Sequence, residues 1–129
     1  MRRRAFLVGL AALAGCGGAG VSRDDLRPRL AREVAQLALD GGTPEGIEAA
    51  AAPFAAAFDV ERLEAVRAFY ASPEGQVVTA LARAEARGMP PPAVADARRP
   101  AIAAYLASPE GAEETRVLRA ALAASRQGA

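Results

Sequence analysis

The chain is expected to fold as an all-α protein, a small bundle of about five or six short helices containing two related helix-corner units. Three observations predict this. Apolar residues recur at helical spacing along the body of the chain, helix-starting caps and prolines punctuate it at short intervals, and no segment shows the alternation of a strand. At 129 residues there is room for one domain, and although 52% of the residues are hydrophobic, alanine dominates that fraction. An alanine side chain buries little area, so the core is expected to be thin.

The first helix is expected from about Asp24, with Leu26, Leu30, Val34 and Leu37 on one face. Asp24 or Asp25 would cap it, Pro28 would fall in its first turn, and Gly41-Gly42 would stop it. Thr43-Pro44-Glu45 reads as a second start, with a hydroxyl cap, a proline at the first helical position and an acid near the positive end of the dipole. The alanine-rich run that follows contains Pro53, which should divide or kink it before Phe54 and Phe58.

Asp59 offers the next cap, with Phe58 placed to staple onto Leu63, and Leu63, Val66, Phe69 and Tyr70 line one face of a third helix. Ser72-Pro73 ends that helix and starts a fourth, running through Val77, Val78 and Leu81 to Gly88, so the two should meet at a sharp corner. Met89–Pro92 reads as a loop. Asp96 would cap a fifth helix with Pro100 in its first turn, and Ser108-Pro109 would turn the chain into a sixth.

Residues 66–84 align without gaps on residues 102–120, at an offset of 36. Both copies contain Ala-Ser-Pro-Glu-Gly, at 71–75 and 107–111, and Val66 matches Ile102, Phe69 matches Tyr105, and Tyr70 matches Leu106. Ser-Pro-Glu alone is simply a good helix start, as Thr43-Pro44-Glu45 shows, but the match runs through both helices of each unit. Two copies are too few for a solenoid, so 59–87 and 95–123 should pack on each other as two corners of one bundle.

The opening segment has a different character. Arg2, Arg3 and Arg4 precede an apolar stretch from Ala5 to Ala14, the layout of a secretory signal and far short of the roughly 20 residues that cross a bilayer. Leu13-Ala14-Gly15-Cys16 resembles the lipobox of bacterial lipoproteins. The resemblance implies that Leu13, Ala14 and Gly15 are read by the signal peptidase, that residues 1–15 are removed, and that Cys16 carries the lipid. Its thiol would form a thioether, and two or three acyl chains would hold stably where one gives marginal binding. Arg3-Arg4-Ala5-Phe6-Leu7 also resembles the twin-arginine export motif, centred on Arg3, Arg4, Phe6 and Leu7; a plain basic start reads the same way, so both routes stay open. Residues 16–23, with Gly17, Gly18 and Gly20, would form a flexible tether to a single domain over 24–129. The absence of Asp after Cys16 fits sorting to the outer membrane, facing the periplasm, in a host that has one.

Residues 54–78, with the aromatic pair and Ser-Pro-x-Gly of Phe69-Tyr70-Ala71-Ser72-Pro73-Glu74-Gly75, resemble the domain of unknown function 2059 family, small helical domains of exported bacterial proteins. The likeness covers roughly residues 28–88, and Tyr105, Ser108, Pro109 and Gly111 echo it in the second copy. It implies a structural role for these residues and an envelope location. That family has no settled activity.

Composition narrows the chemistry. There is no His, and the lone Cys is assigned to lipid, so the usual nucleophile-base pairs and thiolate or imidazole metal sites are excluded. No cofactor, metal or catalytic residue is assigned, and no glycine-rich phosphate loop follows a strand. Asp24-Asp25 and Glu113-Glu114 lie near helix starts, where the dipole favours acids. With three of the sixteen basic residues at positions 2–4, the rest of the chain has thirteen basic against fifteen acidic side chains, a formal charge of −2. That argues against nucleic acid or anionic headgroups as partners. The expectation is an envelope-anchored, non-enzymatic module that binds another envelope protein. A carrier of an apolar, acyl-type ligand is the alternative, and a hydrolase using carboxylates alone is a third.

Overall fold

The computed structural model describes residues 23–128. Six α-helices follow one another: α1 (Arg23–Leu39), α2 (Pro44–Ala57), α3 (Val60–Ala71), α4 (Pro73–Ala86), α5 (Arg99–Ala107) and α6 (Pro109–Gly128), with a 3-10 turn at Asp96–Arg98 before α5. No strand occurs among the described residues. The all-α bundle expected from the sequence is therefore the fold.

Four caps act as their residue types predict. Thr43, Asp59, Ser72 and Ser108 each accept a hydrogen bond from the backbone N–H three residues on, at 2.8–3.1 Å. At the far end of α4, Gly88 takes φ +65°. Met89 N–H then reaches the Ala84 carbonyl at 2.9 Å and Gly88 N–H that of Glu85 at 3.1 Å, which satisfies carbonyls the helix leaves open.

Three local expectations are corrected. Pro53 does not divide α2, which runs unbroken from Pro44 to Ala57. The proline forfeits one helical hydrogen bond, but Ala50, Ala51 and Phe54 are buried around it, and their packing against α1 and α6 holds the backbone helical. Asp96 does not cap α5; it begins the 3-10 turn, and Arg98, at the cap position, makes no side-chain cap hydrogen bond. With α1 described from Arg23, Asp24 and Asp25 lie within its first turn and Pro28 in its second.

Chain direction follows from contacts between distant residues. The short turn at residues 40–43 reverses α1 into α2, and Arg32 meets Glu48 at 3.7 Å across the hairpin. Helix α2 lies antiparallel to α6: Gly46 at its start faces the Ser125 carbonyl, while Arg62, just beyond its end, reaches Glu110 and Glu114 at the start of α6. Phe54 is fully buried at the centre of the core. Its ring lies 6.2 Å from that of Tyr70 in an edge arrangement and 6.5 Å from that of Phe58.

Many of the surrounding core positions are alanine, so the few large side chains carry most of the burial. Phe54→Ala should lower the unfolding free energy by about 3–5 kcal/mol, read from the urea midpoint. Met89→Ala, at an exposed loop position, should change it by less than about 0.5 kcal/mol.

Candidate functional site

The two Ser-Pro-Glu-Gly motifs build the same corner twice. In each, one serine closes the preceding helix and opens the next. Ser72 Oγ donates to the Phe69 carbonyl at 2.5 Å and accepts from Gly75 N–H at 3.1 Å; Ser108 Oγ donates to the Tyr105 carbonyl at 2.7 Å and accepts from Gly111 N–H at 3.0 Å. Pro73 and Pro109 occupy the first position of their helices, where a missing N–H costs nothing. A Cβ at Gly75 would sit 1.7 Å from the Phe69 carbonyl oxygen, and one at Gly111 would sit 1.8 Å from that of Tyr105. Glycine is required in both corners by the backbone of the preceding helix.

The corners meet through equivalent residues. Phe69 and Tyr105, matched by the repeat, stack with centroids 4.3 Å apart at 26°, and α4 packs on α6. Arg98 pairs with Glu74 of the first motif at 3.0 Å. The motif residues are thus brought together as the seam between the two units.

Beside that seam lies a polar cluster that sequence reasoning did not find. Glu114 is buried in α6, 7% exposed, at the position matching Val78 of the first copy. Its Oε2 accepts from Arg62 Nε at 2.8 Å and its Oε1 from the Tyr105 hydroxyl at 2.6 Å. Arg62 also reaches Glu113 at 3.1 Å and lies 4.9 Å over the Phe58 ring. Its guanidinium is pushed above the usual arginine range, chiefly by the hydrogen bond to Glu114.

Both tyrosine phenols are raised well above their ordinary range. Burial is the main cause for Tyr70, with the Glu114 charge adding to it; for Tyr105 burial is followed by its hydrogen bond to Glu114. With both oxygens of Glu114 engaged and Glu113 held by the same arginine, these acids form a structural tie. Among the described residues, no group of three or more His, Cys, Asp or Glu could hold a metal ion.

The two copies differ most on their outer faces. Tyr70 is 1% exposed, whereas its counterpart Leu106 is 40% exposed. Helix α3 is covered by α1; on α5 only Ile102 is buried, and Ala101, Ala103, Ala104, Leu106 and Ala107 face outward. No charged residue lies between Arg99 and Glu110, nor in the 88–95 loop before it. Arg99 Nε, bonded to the Val94 carbonyl at 3.3 Å, ties that loop to the helix.

Cys16, Leu13, Ala14 and Gly15 of the lipobox, Arg3, Arg4, Phe6 and Leu7 of the export motif, and the tether glycines all lie outside the described residues. No helix among the described residues is long and apolar enough to cross a membrane.

Gly75→Ala and Gly111→Ala should each lower stability by more than about 2 kcal/mol, because a backbone carbonyl blocks the new methyl. Gly46→Ala, whose Cβ would meet the Thr43 side chain at 3.1 Å, should cost less than half as much in the same denaturation assay. The raised phenols set an alkaline limit. The unfolded chain releases its tyrosine protons near pH 10 while the folded chain retains them, so the phenols' contribution to stability should be level below about pH 10 and fall above it. Since the chain has two tyrosines, phenolate absorbance should appear only with loss of helical circular dichroism. No family model, curated protein or solved structure matches this chain.

Proposed function

We propose that the chain is an exported lipoprotein held in the cell envelope by acyl groups on Cys16, and that its helical domain is a non-enzymatic module binding another envelope protein. The observation that carries the binding role is the outer face of α5. It has the same corner architecture as α3, but where Tyr70 of α3 is buried its counterpart Leu106 is 40% exposed, and Leu106 and four alanines of α5 face solvent without a charge among them. A contiguous apolar face of this kind marks a contact surface. The partner surface that fits is itself apolar and helical, as α1 is where it covers α3.

Several features support the module over the other readings. The buried carboxylate is paired with Arg62 and accepts a hydrogen bond from Tyr105, which leaves a hydrolase without a free base at that position. Described clefts at the other end of the bundle are lined by arginines and reach about 270 Å³, below the roughly 300–1,000 Å³ of small-molecule pockets and poorly suited to an acyl chain. The resemblance of Leu13-Ala14-Gly15-Cys16 to a lipobox supports the envelope location.

Two variants test the two halves separately. Cys16→Ser should remove the acyl mass and shift the protein out of the membrane fraction while leaving the helical circular dichroism unchanged. Leu106→Glu should abolish site-specific photocrosslinking from position 103 to a single envelope protein in intact cells, with stability altered by less than about 1 kcal/mol since the side chain is partly exposed. Retention of that crosslink, or its absence in the parent protein, would rule the α5 surface out.

A further inference from the structure

At the end of α6 away from the Ser108 corner, the close of α1, the turn into α2 and the close of α4 come together. Asp40, Gly41, Arg87, Ser125 and Arg126 line an open cleft of about 270 Å³. A smaller hollow of about 60 Å³ adjoins it, reaching Arg83 and the apolar side chains of Leu39 and Leu122. Three arginines, one from α4, one at its C-terminal cap and one from α6, therefore surround a space large enough for a side chain and too small for most metabolites.

The carbonyl ends of α1, α4 and α6 converge here and would by themselves attract cations. Arg83 meets that need: Nη1 donates to the Ala38 carbonyl at 2.8 Å, and Nη2 lies 3.8 Å from Asp40, the acid on this rim. Burial pushes the Arg83 guanidinium below its usual range, with the Asp40 charge opposing that shift and Arg87 adding a smaller push in the same direction. Arg87 and Arg126 serve no such purpose. Both are exposed and line the cleft, and among the described residues neither side chain makes a hydrogen bond or an ion pair, as is also true of Arg27, Arg29 and Arg116 elsewhere on the surface.

We infer that this cleft receives an acidic side chain of a partner polypeptide, its carboxylate held between Arg87 and Arg126. A guanidinium presents paired donors that match the two oxygens of a carboxylate, and the hydroxyl of Ser125 and the apolar floor suit the short stem behind it. The inference rests on the reading of the domain as a protein-binding module, to which it adds a charged contact at the opposite end of the bundle from the Ser108 corner. It accounts for a local cluster of arginines in a domain that is acidic as a whole.

The test uses the full chain carrying Cys16→Ser, labelled for NMR and titrated with a blocked glutamate-rich pentapeptide, its glutamine counterpart and inorganic phosphate. The glutamate peptide should produce saturable shifts of the Arg87 and Arg126 Nε–Hε signals that weaken with salt, and the glutamine peptide should produce none. Arg87→Ala and Arg126→Ala should each weaken binding about two- to fivefold, and the double variant should remove it with the helical circular dichroism unchanged. Absence of a saturable shift, persistence of the shift in the double variant, or an equal or stronger response to phosphate would overturn the inference. No partner is needed, so loss of crosslinking at α5 with the peptide still bound would sink the α5 surface alone, and the reverse result would sink only the cleft.

Discussion

Two helices can follow one another across a single residue only if the start of the second passes against the carbonyl end of the first. At Ser72 and again at Ser108 the chain meets this demand in the same way. The serine hydroxyl donates backward and accepts forward, so one oxygen serves two helix ends. The glycine three residues later leaves room for a carbonyl that any side chain would strike. The rest of the bundle depends on these corners, because they fix the angle at which α4 leaves α3 and α6 leaves α5. That angle in turn brings Phe69 and Tyr105 into a stack.

Identical corners are then used unequally. The first is closed: Tyr70 lies in the core, edge-on to Phe54, and α1 covers its helix. In the second, Leu106 replaces Tyr70 and α5 has no such cover. The inner faces differ too, since Glu114 stands where the first copy has Val78 and draws Arg62 and Tyr105 into a buried tie. Burying a carboxylate is costly unless it is paired and hydrogen-bonded, and here both oxygens are. The tie joins the start of α3 to α6, which links the two units by charge as the aromatic stack links them by shape.

Much of this was legible in the sequence, and the reasons are local. Caps at Thr43, Asp59, Ser72 and Ser108, prolines at helix starts and apolar spacing all act within one or two helical turns, so they read correctly as helix boundaries. Pro53 misled because its penalty is local while the packing that outweighs it comes from α1 and α6. Asp96 has a capping side chain, but the chain enters α5 through a 3-10 turn instead. The Arg62–Glu114 pair joins residues 52 apart in the chain, and a local dipole argument had already accounted for Glu114. The repeat matched Tyr70 with Leu106, but only tertiary cover shows that one is core and the other surface. Arg87 and Arg126 likewise meet only when the helix ends converge.

Two equivalent corners meet face to face through Phe69 and Tyr105, leaving the second with an open outer face. Ring-to-ring nuclear Overhauser contacts between those two residues test this most directly. A strong contact is predicted, as expected for centroids 4.3 Å apart, together with one from Tyr70 to Phe54 and none from Leu106 to α1. A missing Phe69–Tyr105 contact, or a Leu106 side chain in contact with α1, would contradict it.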